Sequence, residues 1–270
     1  MLDGLAVLIV VALLSAGLWF AWRLVRGPAS LRQGVALRLL CVVAVSLLAT
    51  GALAHEVMNS RTVQVAGRLV SHVDTTEHVV ALTFDDGPAD AHADEVIGDL
   101  ARHHAKGTFY VVGQNCRSDH RALVAVVDAG EEIGNHSFTH PRLVFVSQAT
   151  VVREIESTDR MIREAGYRGP ITFRPPFCKR LVAASYYLWR HRRVTVTWNL
   201  EADSNPKLAG DPQAMADYVA ANVRPGSIVL FHVWGNQNSG ARAALPRVLD
   251  GLAARGYRFV TVSELLALRR

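Results

Sequence analysis

The chain has 270 residues, half of them apolar and a fifth charged, with a formal net charge of +5 and a pI near 9.4. That apolar content excludes a disordered chain, and three cysteines exclude a disulfide-built scaffold. A basic pI admits nucleic-acid binding, so the placement of the charge decides its meaning.

Residues 5–22 carry no charge, and neither do residues 39–54. A bilayer core needs ~20 apolar residues in helix, so the first stretch fits a span. The second fits if Arg38 snorkels to the headgroups. Between them stand Arg23, Arg26, Arg32 and Arg38 with no acid, the pattern of a cytoplasmic loop. The expectation is a two-span transmembrane anchor over residues 1–54, with everything beyond Ala54 outside the cytoplasm. A buried hairpin of a soluble protein is disfavoured because both segments are apolar all round. A cleaved signal ending at Ala52-Leu53-Ala54 would leave a whole extra span before its charged region.

The anchor holds four arginines and one acid, Asp3, a net +3. The remaining residues carry only +2, without a basic block, and nucleic-acid binding loses its support. Residues 55–78 are polar and mixed. They read as a tether, with weak alternation over residues 62–65 suggesting an edge strand.

From residue 79 onward, β-type runs alternate with helical patterns. Strands are expected at 79–84, 108–112, 132–135, 172–174, 194–198, 228–232 and 257–260. Helices are expected at 93–103, 121–129, 150–165, 181–192, 211–222 and 241–255. Asp211-Pro212 marks a helix start, and Gly130, Gly166 and Gly256 mark helix ends. Seven strands with intervening helices imply an α/β domain over residues 79–270, its parallel sheet closed or nearly closed into a barrel.

Chemistry in such folds comes from the C-terminal ends of strands. Those ends read Asp85-Asp86-Gly87-Pro88, Asn135-His136-Ser137-Phe138-Thr139-His140, Arg174-Pro175-Pro176-Phe177, Trp198 leading to Glu201 and Asp203, and Phe231-His232. Two adjacent carboxylates repel unless a cation neutralises them. His136 and His140, at i and i+4, offer two imidazoles to one ion. Two histidines and a carboxylate leave a coordination position open for water, so zinc is expected, with cobalt, nickel or iron also suited to a mixed N/O site. A turn or a pair of surface histidines would explain either motif alone, but not both on neighbouring strand ends. Arg174, held by two prolines, can orient a carboxylate. His232 ends an apolar strand on the same rim.

These residues carry a resemblance. TFDDGP, HSFTH, RPPF, a Trp-containing segment and a final LFH, in this order over residues 79–266, resemble the NodB-homology polysaccharide deacetylases, carbohydrate esterase family four. The resemblance implies a distorted (β/α)7 barrel. It implies Asp86, His136 and His140 as metal ligands, and Asp85 as the base that deprotonates the attacking water. It implies His232 as the acid for the leaving amine, Arg174 as the residue holding the base, and an oxyanion donor at the backbone near Phe177. Trp198 falls in the substrate motif. The family's acid that tunes the histidine corresponds to Glu201 by position and to Asp203 with one gap. Phe177 replaces a commoner Tyr, Cys178 a commoner Gly, and Val233 a commoner Asp.

The function expected is a metal-dependent hydrolase. It removes N-acetyl groups from amino sugars of an extracytoplasmic polysaccharide, with cell-wall peptidoglycan the leading substrate. The partners are an acetylated glycan and the lipid bilayer, with no nucleic acid. An O-acetyl esterase on the same scaffold and an inactive glycan-binding module are the rivals. Cys116 and Cys178 are expected to be free thiols. Nothing in the sequence sets an oligomeric state.

Overall fold

The computed structural model describes residues 15–17, 19, 22, 32–89, 92–208 and 210–268. The chain divides into two compact units, Met1–Val63 and Gln64–Arg270.

The first unit contains helix α1 (Arg32–Asn59), which runs past Ala54. Its segment Arg38–Asn59 has 22 residues, mean hydropathy 1.8 and no buried part. Leu40, Val43, Leu47 and Leu48 are all exposed along it. At 1.5 Å per residue it is roughly 33 Å long, enough for a hydrocarbon core of about 30 Å. Among the described residues this is the one helix long and apolar enough to cross a membrane. The companion span expected over residues 5–22 lies largely outside the described residues, of which 15–17, Trp19 and Trp22 are helical.

The second unit has eight described strands. They are β1 (Leu69–Val70), β2 (Val79–Gly87), β3 (Gly107–Val111), β4 (Glu132–Asn135), β5 (Thr195–Val196), β6 (Leu200–Glu201), β7 (Ser227–Phe231) and β8 (Arg258–Phe259). Six form a parallel sheet in the order β4-β3-β2-β7-β6, with β8 on the start of β2. Phe173 bridges to Asn135 on one side and Thr195 on the other, joining β4 to β5. β5 pairs with β1, and His72 bridges to Ser227, returning the wall to β7. The result is an irregular closed wall, the distorted barrel expected.

β6 lies where no strand was expected, and two other strands differ from expectation. The stretch 172–174 makes ladder contacts only at Phe173, because Pro175 and Pro176 bring no N–H to extend it. The edge strand expected at 62–65 forms instead at Leu69–Val70, where Arg68 and Val70 carbonyls accept from Thr195 and Thr197 at 2.9 Å each. Partner availability on β5 decided the register, as weak alternation could not.

The described helices of this unit are α2 (His92–Arg102), α3 (Gly113–Ser118), α4 (His120–Asp128), α5 (Gln148–Glu164), α6 (Val182–Arg190), α7 (Pro212–Asn222), α8 (Ser239–Ala254) and α9 (Val262–Ala267). Asp211 caps α7 by accepting from Gln213 and Ala214 amides, and Gly130, Gly166 and Gly256 take positive φ just after their helices. The short α3 and the Thr261/Glu264-capped α9 were not anticipated.

Side-chain alternation along β2 divides the core. Val80, Leu82 and Phe84 face the helices, with Phe84 against Phe109 at 4.8 Å between ring centroids. Val79 and Ala81 face the barrel interior with Tyr110, Val196, Trp198, Ile228 and Leu230. Thr83 and Asp85 continue that inward row, because strand side chains repeat every two residues. An apolar strand thus delivers a carboxylate to the barrel's C-terminal mouth.

Candidate active site

The two carboxylates reach one site through a bulge. β2 pairs with β3 as Asp85 to Tyr110 and then Gly87 to Val111, so Asp86 is skipped. Asp86 takes φ 69° and its carbonyl accepts from Asn115 Nδ2 at 2.7 Å. Gly87 is needed for packing. A Cβ there would meet the Trp234 indole at about 2.0 Å.

Asp86 faces both histidines of the HSFTH segment. Its Oδ1 lies 3.1 Å from His140 Nε2 and 3.5 Å from His136 Nε2, and the two Nε2 atoms are 3.3 Å apart. The Oδ1 atom is buried with no hydrogen-bond partner, an expensive arrangement unless something else satisfies it. Burial pushes the Asp86 carboxyl up, but His140 and His136 outweigh that and hold it well below the usual carboxylate range. Burial also lowers the His136 pKa, against the pull of Asp85 and Asp86. Its Nδ1–H donates to the Arg174 carbonyl at 2.7 Å, which leaves the Nε2 lone pair aimed at Asp86. One carboxylate oxygen and two imidazoles, all within 4.8 Å of one another, converge as ligands of a single cation would. The orphaned oxygen and the fixed tautomer make the donor set fit a divalent ion.

The loop bearing these histidines is held from below. Glu154, buried on α5, accepts from the Phe138 and Thr139 amides at 3.0 and 2.8 Å and from the Thr139 hydroxyl at 2.9 Å. Ser137 and His140 adopt positive φ within this turn. Sequence reasoning missed Glu154. Its signal was an acid on the apolar face of an amphipathic helix.

Arg174 is completely buried. Its Nη1 donates to Asp85 Oδ1 at 2.7 Å and to Thr83 Oγ1 at 2.9 Å, and Nη2 donates to the Thr197 carbonyl at 3.1 Å. The guanidinium lies 4.1 Å over the Tyr110 ring, which in turn packs where a Gly134 Cβ would stand. The other Asp85 oxygen is 3.6 Å from His136 Nε2. Asp85 is therefore oriented by Arg174 on one side and borders the Asp86–histidine cluster on the other.

His232 resolves the choice between two acids. Asp203 Oδ2 accepts from both the His232 backbone N–H at 2.6 Å and its ring Nδ1–H at 2.9 Å. Burial lowers the His232 pKa, but Asp203 more than reverses this, pushing it up to about 9. Glu201 instead accepts from Trp198 Nε1 at 2.8 Å. Trp198 is buried, with the Arg174 guanidinium 5.4 Å from its ring, and so lies under the site.

Phe177 projects half-exposed at the mouth, its ring 4.5 Å from that of His140. It has φ 55° in a 3-10 turn, Pro176–Cys178. The Cys178 and Lys179 amides donate to the Pro175 and Pro176 carbonyls, while among the described residues no such bond takes the Phe177 amide. Cys116 and Cys178 are buried and form no disulfide.

A barrel with a carboxylate–guanidinium pair, a cation-fitting cluster and a carboxylate-paired histidine around one mouth is built for hydrolysis. Comparison with known proteins names the class. Residues 72–191 match the family model described as Polysaccharide deacetylase. Over 207 residues the chain is 31% identical to a peptidoglycan-N-acetylglucosamine deacetylase of Bacillus cereus, covering 74% of this chain and 93% of that protein. A crystal structure of a peptidoglycan N-acetylglucosamine deacetylase with 4-naphthalen-1-yl-N-oxidanyl-benzamide superposes with TM-score 0.68 at 26% identity. That match covers 72% of this chain and 91% of the other. A CE4-family pseudoenzyme from Bacillus anthracis superposes with TM-score 0.67 at 25% identity, covering 74% of this chain and 69% of that one. The chain belongs to the polysaccharide deacetylases, hydrolases of carbon–nitrogen bonds other than peptide bonds.

Proposed function

We propose that this chain is a metal-dependent deacetylase, anchored in the membrane with its catalytic unit outside the cytoplasm. It removes N-acetyl groups from amino sugars of cell-wall peptidoglycan. The observation that carries the chemistry is the orphaned Asp86 oxygen between two histidine Nε2 atoms, beside an Asp85 that Arg174 keeps in place. The relatives' activity on peptidoglycan supports the substrate. The exposed apolar helix Arg38–Asn59 supports the anchor, as does the approach of Gly17 to Val42 and Ser46, since small residues let membrane helices pack closely.

Asp86, His136 and His140 would hold the ion. A divalent cation bound there, zinc by the N/O donor set, would supply Lewis-acid polarisation of the acetyl carbonyl and a lowered pKa for water. Asp85, adjacent and fixed by Arg174, accepts the proton of the attacking water. The Phe177 amide donates to the developing oxyanion. Protonated His232 delivers a proton to the leaving amine, which departs poorly without one. Asp203 keeps that imidazole charged and directs Nε2 outward.

The test is acetate release by the metal-supplied full chain from peptidoglycan, N-acetylated glucosamine oligomers and O-acetylated xylan. Release from the N-acetylated substrates with Asp85→Asn inactive is expected. Release from the O-acetylated xylan alone would make the chain an esterase, and no release from any substrate would leave a binding module.

A further inference from the structure

The barrel's other end carries features that hydrolysis does not use. Parallel strands place all their N-terminal ends opposite the catalytic mouth. There, at the starts of β1 and β5 and the end of α6, lies a cavity of about 500 Å3 lined by Gly67, Arg68, Trp189, Arg190, Arg192 and Arg193 among others. No acid lines it. Arg193 is committed to Asp159 through two hydrogen bonds. Arg68, Arg190 and Arg192 are exposed, and among the described residues none of them forms an ion pair. Beside them Tyr186 and Trp189, adjacent on α6 with ring centroids 5.8 Å apart, are about half exposed. Gly67 is fixed here by packing. A Cβ there would lie 3.3 Å from Trp189, and its φ is +86°.

Exposed Trp and Tyr flanked by arginines are the composition of a surface that sits at a lipid headgroup layer. The rings enter the interface and the guanidinium groups meet phosphates. Chain length brings such a layer within reach. Residues 60–66 connect the end of α1 to Gly67, at most roughly 30 Å of extended chain. We propose that this arginine–aromatic face docks on anionic lipid headgroups of the bilayer that α1 enters. Docking by the N-terminal end of the barrel turns the catalytic mouth away from the membrane, toward polymer lying beyond it. The inference rests on the anchored reading above.

Each arginine near an anionic bilayer strengthens association roughly fivefold, so losing three lowers the docked-to-undocked ratio on the order of 100-fold. The experiment uses the full chain in vesicles of phosphatidylcholine with or without phosphatidylglycerol. A fluorophore is placed at Tyr186→Cys or, as control, at exposed Asp217→Cys on α7, in a Cys41→Ser background. Lipid-borne nitroxide should quench the label at 186 strongly and the label at 217 weakly, and only with phosphatidylglycerol present. Salt should weaken the effect, and the triple change Arg68→Glu/Arg190→Glu/Arg192→Glu should abolish it while turnover of a soluble glycan is kept. That retained turnover shows the variant is folded. Equal quenching at both positions in a chain that floats with the vesicles overturns the docking alone. Shielding of the label by soluble polyglycerol phosphate, with none by lipid, overturns it in favour of an anionic polymer. A chain that does not float with neutral vesicles removes the anchored reading and the docking with it.

Discussion

Replacing Asp203 by Asn tests the electrostatics of the proposed acid directly. The side chain keeps an oxygen to accept from His232 but loses its charge. With Asp203 present the imidazole titrates near 9; burial alone would take it below the ordinary 6.5. Asp203 is the largest source of that rise, and Asp85 and Asp86 add to it. A general acid works only while protonated, so the alkaline limb of kcat/KM should fall from near 9 toward the ordinary 6.5. At about pH 8 this costs up to roughly 30-fold in rate, and near pH 6 little. A cation at Asp86 lowers the limb in both proteins, so the difference between them is the quantity to read. The pH profile of acetate release, with the metal supplied, measures it. An unmoved alkaline limb would refute the argument, and an equal loss at every pH would make Asp203 a purely orienting group. Stability gives a second reading. Folded His232 binds a proton more tightly than the unfolded chain. Its stabilisation is therefore complete below about 6.5 and lost as pH rises toward 9, a slope that Asp203→Asn should remove.

Other expectations follow from the same geometry. His136→Ala should abolish tight metal binding, measured by calorimetry or metal analysis, whereas Asp85→Asn should retain the metal and lose turnover by at least about 100-fold. Arg174→Met leaves the buried Asp85 charge unpaired and should lower unfolding free energy by about 3–5 kcal/mol in denaturant titration. Glu154→Gln keeps the side chain's shape but weakens its bonds to Phe138 and Thr139, and should reduce metal affinity on the order of 10-fold with little change in helix content.

Sequence alone determined what depends on neighbouring residues. The two-residue alternation that ends in Asp85 was legible along β2, as were the i, i+4 spacing of His136 and His140, and the helix starts and stops. The strand-end rule then placed every candidate group on one mouth, and the position of Arg174 before two prolines showed that its backbone would be fixed. Tertiary structure decided whatever depends on residues distant in the chain. Asp203 rather than Glu201 reaches His232 because the turn after β6 brings that carboxylate to the end of β7, while Glu201 is taken by Trp198. Neither acid differs in any local pattern. The same holds for the edge strand, which formed at Leu69–Val70 where β5 offered unpaired backbone groups. It holds for the Arg174–Asp85 pair, which spans the barrel, and for Glu154, whose partners lie in a loop that precedes its helix. Local propensity is written in adjacent residues, but a hydrogen bond across a barrel exists only once the wall has closed and fixed which groups face each other.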